Sequence, residues 1–138
     1  MEPSRKNQSL NGVPRVGVFK VRDDPLVNIP KQKYEGDAGY DLQCITDEII
    51  PPGSTAAIQT GLGFKIPKGY YGAVKPRSGL GLAGLSVVLG TIDQNYQGEI
   101  KVILANLNRS RPFKITAYDR VAQITFEPVL TGPLKILE

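Results

Sequence analysis

From Arg15 the chain alternates. Val16, Val18 and Lys20 fall on one face of an extended segment and Gly17, Phe19 and Val21 on the other, which is the period-two pattern of a β-strand. Short segments that suit the same reading recur at 40–44, 56–60, 62–66, 70–74, 85–89, 99–105, 113–116 and 121–126. Turn signals separate them: Pro51-Pro52-Gly53, Pro67-Lys68-Gly69, Gln97-Gly98 and the stretch from Asn106 to Pro112. No window places apolar residues at i, i+3, i+4 and i+7 over three turns. Residues 79–85 come nearest to a helix, and their glycines argue against one. The pattern predicts an all-β sandwich, barrel or jelly roll over 15–138, with residues 1–14 as a flexible, polar N-terminal leader and no second domain.

Composition sharpens this picture. The 15 glycines and 11 prolines among 138 residues are spread along the chain, as frequent turns require. There is no histidine, which excludes Ser-His-Asp and Cys-His centres and every metal site that needs imidazole. The single cysteine, Cys44, excludes an intrachain disulfide and a cysteine cluster. No apolar run approaches the length of a membrane-spanning helix. The opening MEPSRKNQSL lacks the apolar stretch of a signal peptide, so an intracellular protein, cytoplasmic or nuclear, is expected. The net charge of +4 permits an anionic ligand, and the basic residues are not gathered in a run that would call for nucleic acid. No acidic residue falls between Glu48 and Asp93, while Lys65, Lys68, Lys75 and Arg77 do. Such a stretch ending in one carboxylate suits an anion site with a base beside it, or simply strands whose buried positions are poor in charge.

Four segments carry candidate chemistry. In Asp37-Ala38-Gly39-Tyr40-Asp41-Leu42, glycine lets the chain turn into a strand, and Asp41 lies between residues that read as buried. It is either a structural acceptor or a group that reaches a metal-bound water. In Lys75-Pro76-Arg77-Ser78-Gly79-Leu80, the arginine offers a fork, the serine a hydroxyl and Gly79 a bare backbone to an anion, unless the segment is only a surface turn. In the run from Gly90 to Glu99, Ile92 beside Asp93 suggests a partly shielded carboxylate fit for a general base, and Tyr96 offers a ring for stacking on a sugar or base. The bland alternative is a hairpin with a polar tip. In Asp119-Arg120-Val121-Ala122-Gln123, Arg120 reads as a partner for an acid or phosphate, or as half of an internal salt bridge, and Gln123 as a phosphate or water ligand.

The ordered set AGYDL at 38–42, PRSGL at 76–80, GTIDQNYQGE at 90–99 and DRVAQ at 119–123 resembles the trimeric deoxyuridine triphosphate nucleotidohydrolase (dUTPase) family, over roughly residues 15–130. The resemblance implies a distorted jelly roll assembled as a homotrimer, with three sites at subunit boundaries. It implies hydrolysis of dUTP to dUMP and pyrophosphate, which limits uracil incorporation into DNA and supplies dUMP for thymidylate synthesis. Arg77, Ser78 and Gly79 match the phosphate grip, and Gln123 a further phosphate-side ligand. Asp93 matches the carboxylate that orients and deprotonates water. Tyr96 matches the ring that packs on deoxyribose. The backbone around Leu89, Gly90, Thr91 and Ile92 matches the hairpin that pairs with uracil. Asp41 matches an acid that acts near Mg²⁺ through water, the ion being held chiefly by the triphosphate, with no direct protein ligand. No membrane and no direct nucleic-acid partner is implied.

Three departures stand out. Family members usually end in a glycine-rich segment with an arginine and a phenylalanine, and this sequence runs to Pro133-Leu134-Lys135-Ile136-Leu137-Glu138 without one. Tyr118 stands where the family commonly has glycine, and the connection from Ser78 to Asp93 is slightly short. The alternatives are a dCTP deaminase-like enzyme, against which the Asp93–Tyr96 pairing speaks, and a fold-retaining module that binds nucleotide or protein with little or no turnover. A nucleic-acid-binding β module is more distant, because aromatic and basic residues do not alternate as a stacking platform requires.

Overall fold

In a computed structural model, residues 9–10 and 12–138 are described, together with all their side chains except those of Ser9, Leu10 and Leu89. The strands are β1 (Ser9–Leu10), β2 (Val13–Pro14), β3 (Gly17–Lys20), β4 (Tyr40–Gln43), β5 (Glu48–Ile50), β6 (Thr55–Gln59), β7 (Leu62–Lys65), β8 (Tyr70–Lys75), β9 (Leu85–Leu89), β10 (Thr91–Ile92), β11 (Lys101–Asn106), β12 (Phe113–Ile115) and β13 (Arg120–Pro128), with one short helix, α1 (Ser78–Leu82). All pairings are antiparallel. The largest sheet runs β10-β8-β13-β4 and faces the three-stranded sheet β6-β11-β9 and the pairs β3-β7 and β12-β5 across a shared core. The all-β class expected from the alternation is the observed one. Of the expected leader, residues 1–8 and 11 lie outside the described residues, and Ser9–Leu10 pairs with Val13–Pro14.

Leu42, Ile50, Ile58, Ile100, Val102 and Ile124 are fully buried, and each contributes about 1.5–3 kcal/mol by leaving water. Phe126 packs edge-on to Phe64 at 5.3 Å between ring centroids. Among the described residues no helix is long and apolar enough to cross a membrane.

Two features differ from the sequence reading, and both position the site. A helix forms at Ser78–Leu82, where the glycines argued against one. Its backbone is held from outside: Asn108 Nδ2 donates to the Ala83 carbonyl at 3.1 Å and Leu107 N–H to the Gly84 carbonyl at 2.8 Å. Tertiary bonds to the open helix end replace the propensity that the sequence lacks. The second feature is a bulge on β13. Arg120 pairs with Gln43, but Ala122 pairs with Leu42 and Gln123 with Asp41. Val121 and Ala122 therefore both point into the core, and Arg120 and Gln123, three apart, both remain outside.

The turn before β13 holds Tyr118 at φ 70°, which makes it a non-glycine residue in the left-handed region. That conformation costs roughly 1–2 kcal/mol for a residue with a Cβ.

Candidate active site

Sequence-expected site residues fall into two groups on one chain. The first is a cradle at the end of the main sheet. Asp41 on β4 faces Arg120 and Gln123 on β13, with Arg77 just beyond β8. Asp41 Oδ2 lies 3.2 Å from Arg120 Nη1, and Oδ1 lies 3.8 Å from Arg77 Nε. Arg77 Nη1 also donates to the Arg120 carbonyl at 3.2 Å. One carboxylate thus tethers two guanidinium groups whose remaining N–H donors are partly open to solvent. Gln123 Nε2 approaches the Pro76 carbonyl at 3.4 Å. Beneath the Gln123 side chain sits Gly39, where a Cβ would come within 2.6 Å of Gln123 Oε1. The glycine of AGYDL is needed here for space, since its φ is not in the left-handed region. These residues line a hollow of about 280 Å³ with Lys33 and Asp37 on its rim. Ser78 and Gly79, both exposed, open α1 directly after Arg77.

The second group is the hairpin at β10. Gly90 is clamped against β8: Val74 N–H donates to the Gly90 carbonyl at 2.7 Å, and a Cβ on Gly90 would meet the Val74 carbonyl oxygen at 2.4 Å. Thr91 and Ile92 then pair with Ala73 and Gly72. The chain turns at Asp93, with Tyr96 N–H donating to the Asp93 carbonyl at 3.0 Å. Tyr96 is half-exposed, and its hydroxyl donates to the Glu99 carbonyl at 2.7 Å, which fixes the ring; it does not line the hollow beside Asp93. Asp93 is exposed, a correction to the partly shielded carboxylate expected from its neighbour Ile92. Ile92 packs toward the core while the next side chain alternates outward. Asp93 opens on a hollow of about 590 Å³ with Tyr71, Thr91 and Asn95. The side chain of Leu89 lies outside the described residues; its backbone pairs with Ile103.

The base of the hairpin is tied down by Glu99. Arg22 grips it with two parallel bonds of 2.8 and 2.9 Å, and Gly61 N–H donates to Oε2 at 2.9 Å. The bond from Arg22 holds the Glu99 carboxyl below the usual carboxylate range.

Asp41, Arg77 and Gln123 are brought together, as are Asp93 and Tyr96, but the hollows of the two groups share no lining residue. From sequence Arg120 reads as a salt-bridge or phosphate partner, outside the expected site residues. The structure gives it the ion pair to Asp41. Lys33 carries no motif signal and joins the lining from the loop before β4.

Comparison with known proteins supplies the context for this arrangement. A family model described as dUTPase matches residues 26–138. The deoxyuridine 5'-triphosphate nucleotidohydrolase of Corynebacterium glutamicum is 46% identical over 112 residues, covering 79% of this chain and 75% of that protein. A mutant dUTPase from phage phi11 of S. aureus, a structure concerned with a structural Mg(II) ion, is similar with a TM-score of 0.81 at 24% identity, covering 90% of this chain and 97% of that one. A mutant of the Staphylococcus bacteriophage 80alpha dUTPase with dUpNHpp reaches 0.80 at 22% identity, over 90% and 96%. The two structural likenesses concern the fold, whereas the family-model match spans all four motifs from Ala38 to Gln123. With the family model spanning the whole cradle and hairpin, this chain belongs to the dUTPase family.

Proposed function

We propose that this chain hydrolyses dUTP to dUMP and pyrophosphate, and that it does so as a homotrimer in which the hairpin of one copy meets the cradle of another. One observation carries the reading. A proton acceptor and an anion grip lie on the same chain in hollows with no common wall. Each is half of a site, and a second copy brings the complementary half.

In this reading Arg77, Ser78, Gly79 and Gln123 bind the phosphates. The backbone of residues 89–92 pairs with uracil, and the clamp at Gly90 leaves the hairpin little freedom to widen for a 5-methyl group. The Tyr96 ring packs on deoxyribose and excludes a 2′-hydroxyl. Asp93 orients a water and takes its proton as the water oxygen attacks the α-phosphorus; the bond from that phosphorus to the bridging oxygen breaks, and pyrophosphate leaves. Asp93's exposure on one chain leaves room for that water. The barrier is lowered chiefly by positioning and by fixed positive charge.

Among the described residues no three carboxylate, cysteine or histidine side chains converge on a metal position. Both Asp41 oxygens already face arginines. That donor set fits an ion carried by the triphosphate and reached by Asp41 through water, not a protein cage. Mg²⁺ bound in this way supplies charge neutralisation on the phosphate oxygens.

Incubation with dUTP and Mg²⁺, following dUMP and pyrophosphate, tests the activity. Asp93→Asn is expected to lower kcat by about 10²–10⁴ while sedimentation still gives a trimer and dUTP still binds. Loss of the trimer in that variant would make Asp93 structural, and release of ammonia from dCTP would transfer the chain to deaminase chemistry.

A further inference from the structure

We propose that the cavity between residues 27–33 and β4 is a second anion site, contiguous with the cradle, that receives inorganic pyrophosphate as it leaves; the proposal rests on the diphosphatase reading for the origin of its ligand. The cavity measures about 470 Å³, within the range of small-molecule sites. It shares Lys33, Asp41 and Arg120 with the cradle hollow, so the two adjoin along common walls. Beyond that boundary it gains Lys31 and Tyr118. Three cations thus face one carboxylate, and that carboxylate is already tied to Arg77 and Arg120.

Chemistry supplies the need for such a place. Hydrolysis turns one bound anion into two, which repel one another in a cradle shaped for a continuous triphosphate chain. The pyrophosphate carries away the bridging oxygen and its electron pair. A cation-lined extension on the cradle side lowers the barrier to its departure.

The wall itself shows a second sign of construction. Tyr118 is the one non-glycine residue at positive φ among the described residues. Its hydroxyl reaches Asp24 Oδ2 at 3.4 Å, and its N–H donates to the Cys44 carbonyl at 2.9 Å. A strained backbone is retained where the surrounding structure holds it, and such positions gather at ligand sites. Here the strain sets an aromatic ring into the cavity wall, and the same residue holds the segment bearing Asp24 to the turn that precedes Arg120.

Lys31 lines the cavity and not the cradle, which makes it the discriminating position. Pyrophosphate would be titrated calorimetrically into the full chain with Mg²⁺ and dUMP present, and its inhibition of dUTP turnover measured in parallel. Lys31→Glu is expected to weaken pyrophosphate binding and raise its inhibition constant about tenfold, with KM for dUTP moving less than twofold. Tyr118→Gly, which relieves the strain but removes the wall, is expected to weaken pyrophosphate in the same sense, and Tyr118→Phe to preserve it. Unchanged pyrophosphate affinity in Lys31→Glu would overturn the proposal, as would KM and inhibition constant rising together. If dUTP is left intact while pyrophosphate still binds in a Lys31-dependent way, the anion site stands and the diphosphatase reading falls.

Discussion

The hairpin and the cradle are held in place by different physics. Main-chain contacts set the site-facing edge of the hairpin, where Gly90 lies against the Val74 carbonyl and Thr91 and Ile92 pair with β8, and side chains only tie down its base through the Tyr96 hydroxyl and the Arg22–Glu99 pair. Side-chain charges on a bulged strand set the cradle, where Asp41 restrains Arg77 and Arg120. A backbone-built surface has one shape and suits the reading of a rigid base and sugar. In the proposed function, a cradle of partly exposed ion pairs would exchange its internal carboxylate for incoming phosphate at small cost, because exposed pairs are worth little on their own. Under the proposed function, that division gives shape selection and charge binding to separate parts of one chain.

The sharpest way to break this comparison is Gly90→Ala. The new Cβ would meet a carbonyl oxygen of the adjoining strand, not a movable side chain, so the hairpin must shift. Overpacking of this kind costs about 1–3 kcal/mol in stability. A displacement of about 1 Å can lower turnover roughly a hundredfold. Denaturant unfolding and kcat measured on one preparation check both. A full-activity Gly90→Ala variant would show that the hairpin is not the rigid half.

Much of the hairpin was legible in the sequence because backbone tightness is written in glycine, and Gly90 and Gly98 bracket it. The strands with clear alternation were legible for the same local reason. Strands β5 and β10 were not, since three and two residues carry no period and form only through distant partners, Phe113 to Ile115 in one case and Gly72 to Ala73 in the other. The cradle was harder. Arg120 and Gln123 are three apart, which strict alternation places on opposite faces. Only the bulge at Val121 returns them to one side, and nothing in the residue types marks it. By residue type Gly39 marks a turn; in the fold it is room for Gln123, a contact between residues 84 positions apart.

Cradle variants should part in opposite directions where hairpin variants do not. Arg77→Ala removes a phosphate donor and leaves Asp41 facing the ligand with one arginine fewer, so KM for dUTP should rise about tenfold or more. Asp41→Asn frees two guanidinium groups, and KM should fall severalfold while kcat also falls, the pattern of stronger ground-state binding with poorer organisation. Steady-state kinetics at two ionic strengths checks this, because both changes in KM should shrink with added salt. A fall in KM for Arg77→Ala would remove it from the phosphate grip.

Smaller in effect, and confined to the hairpin, is the sugar filter. Tyr96→Ala should narrow the preference for dUTP over UTP about tenfold or more, with dUTP affinity changing less. Competition between the two nucleotides reads the ratio directly, and an unchanged ratio would place the ribose filter elsewhere.

The mildest expected effect tests how the hairpin is anchored. Arg22 holds the Glu99 carboxyl below its unfolded value of about 4.3, so between the two values the unfolded chain binds more protons than the folded one. The associated stability is therefore complete above the unfolded value and disappears as pH falls through the folded one. Wild-type stability should decline on acidification below about pH 5, and Glu99→Gln should flatten that part of the curve while lowering stability at pH 7. Because the same carboxylate accepts from Gly61 N–H, and the Glu99 carbonyl accepts from Tyr96, acid should loosen the hairpin base before the buried core of the main sheet. Hydrogen exchange at Gly61, corrected for its intrinsic pH dependence, should lose protection before exchange at Ile124. Simultaneous loss at both would mean that the hairpin has no anchor of its own and unfolds only with the whole domain.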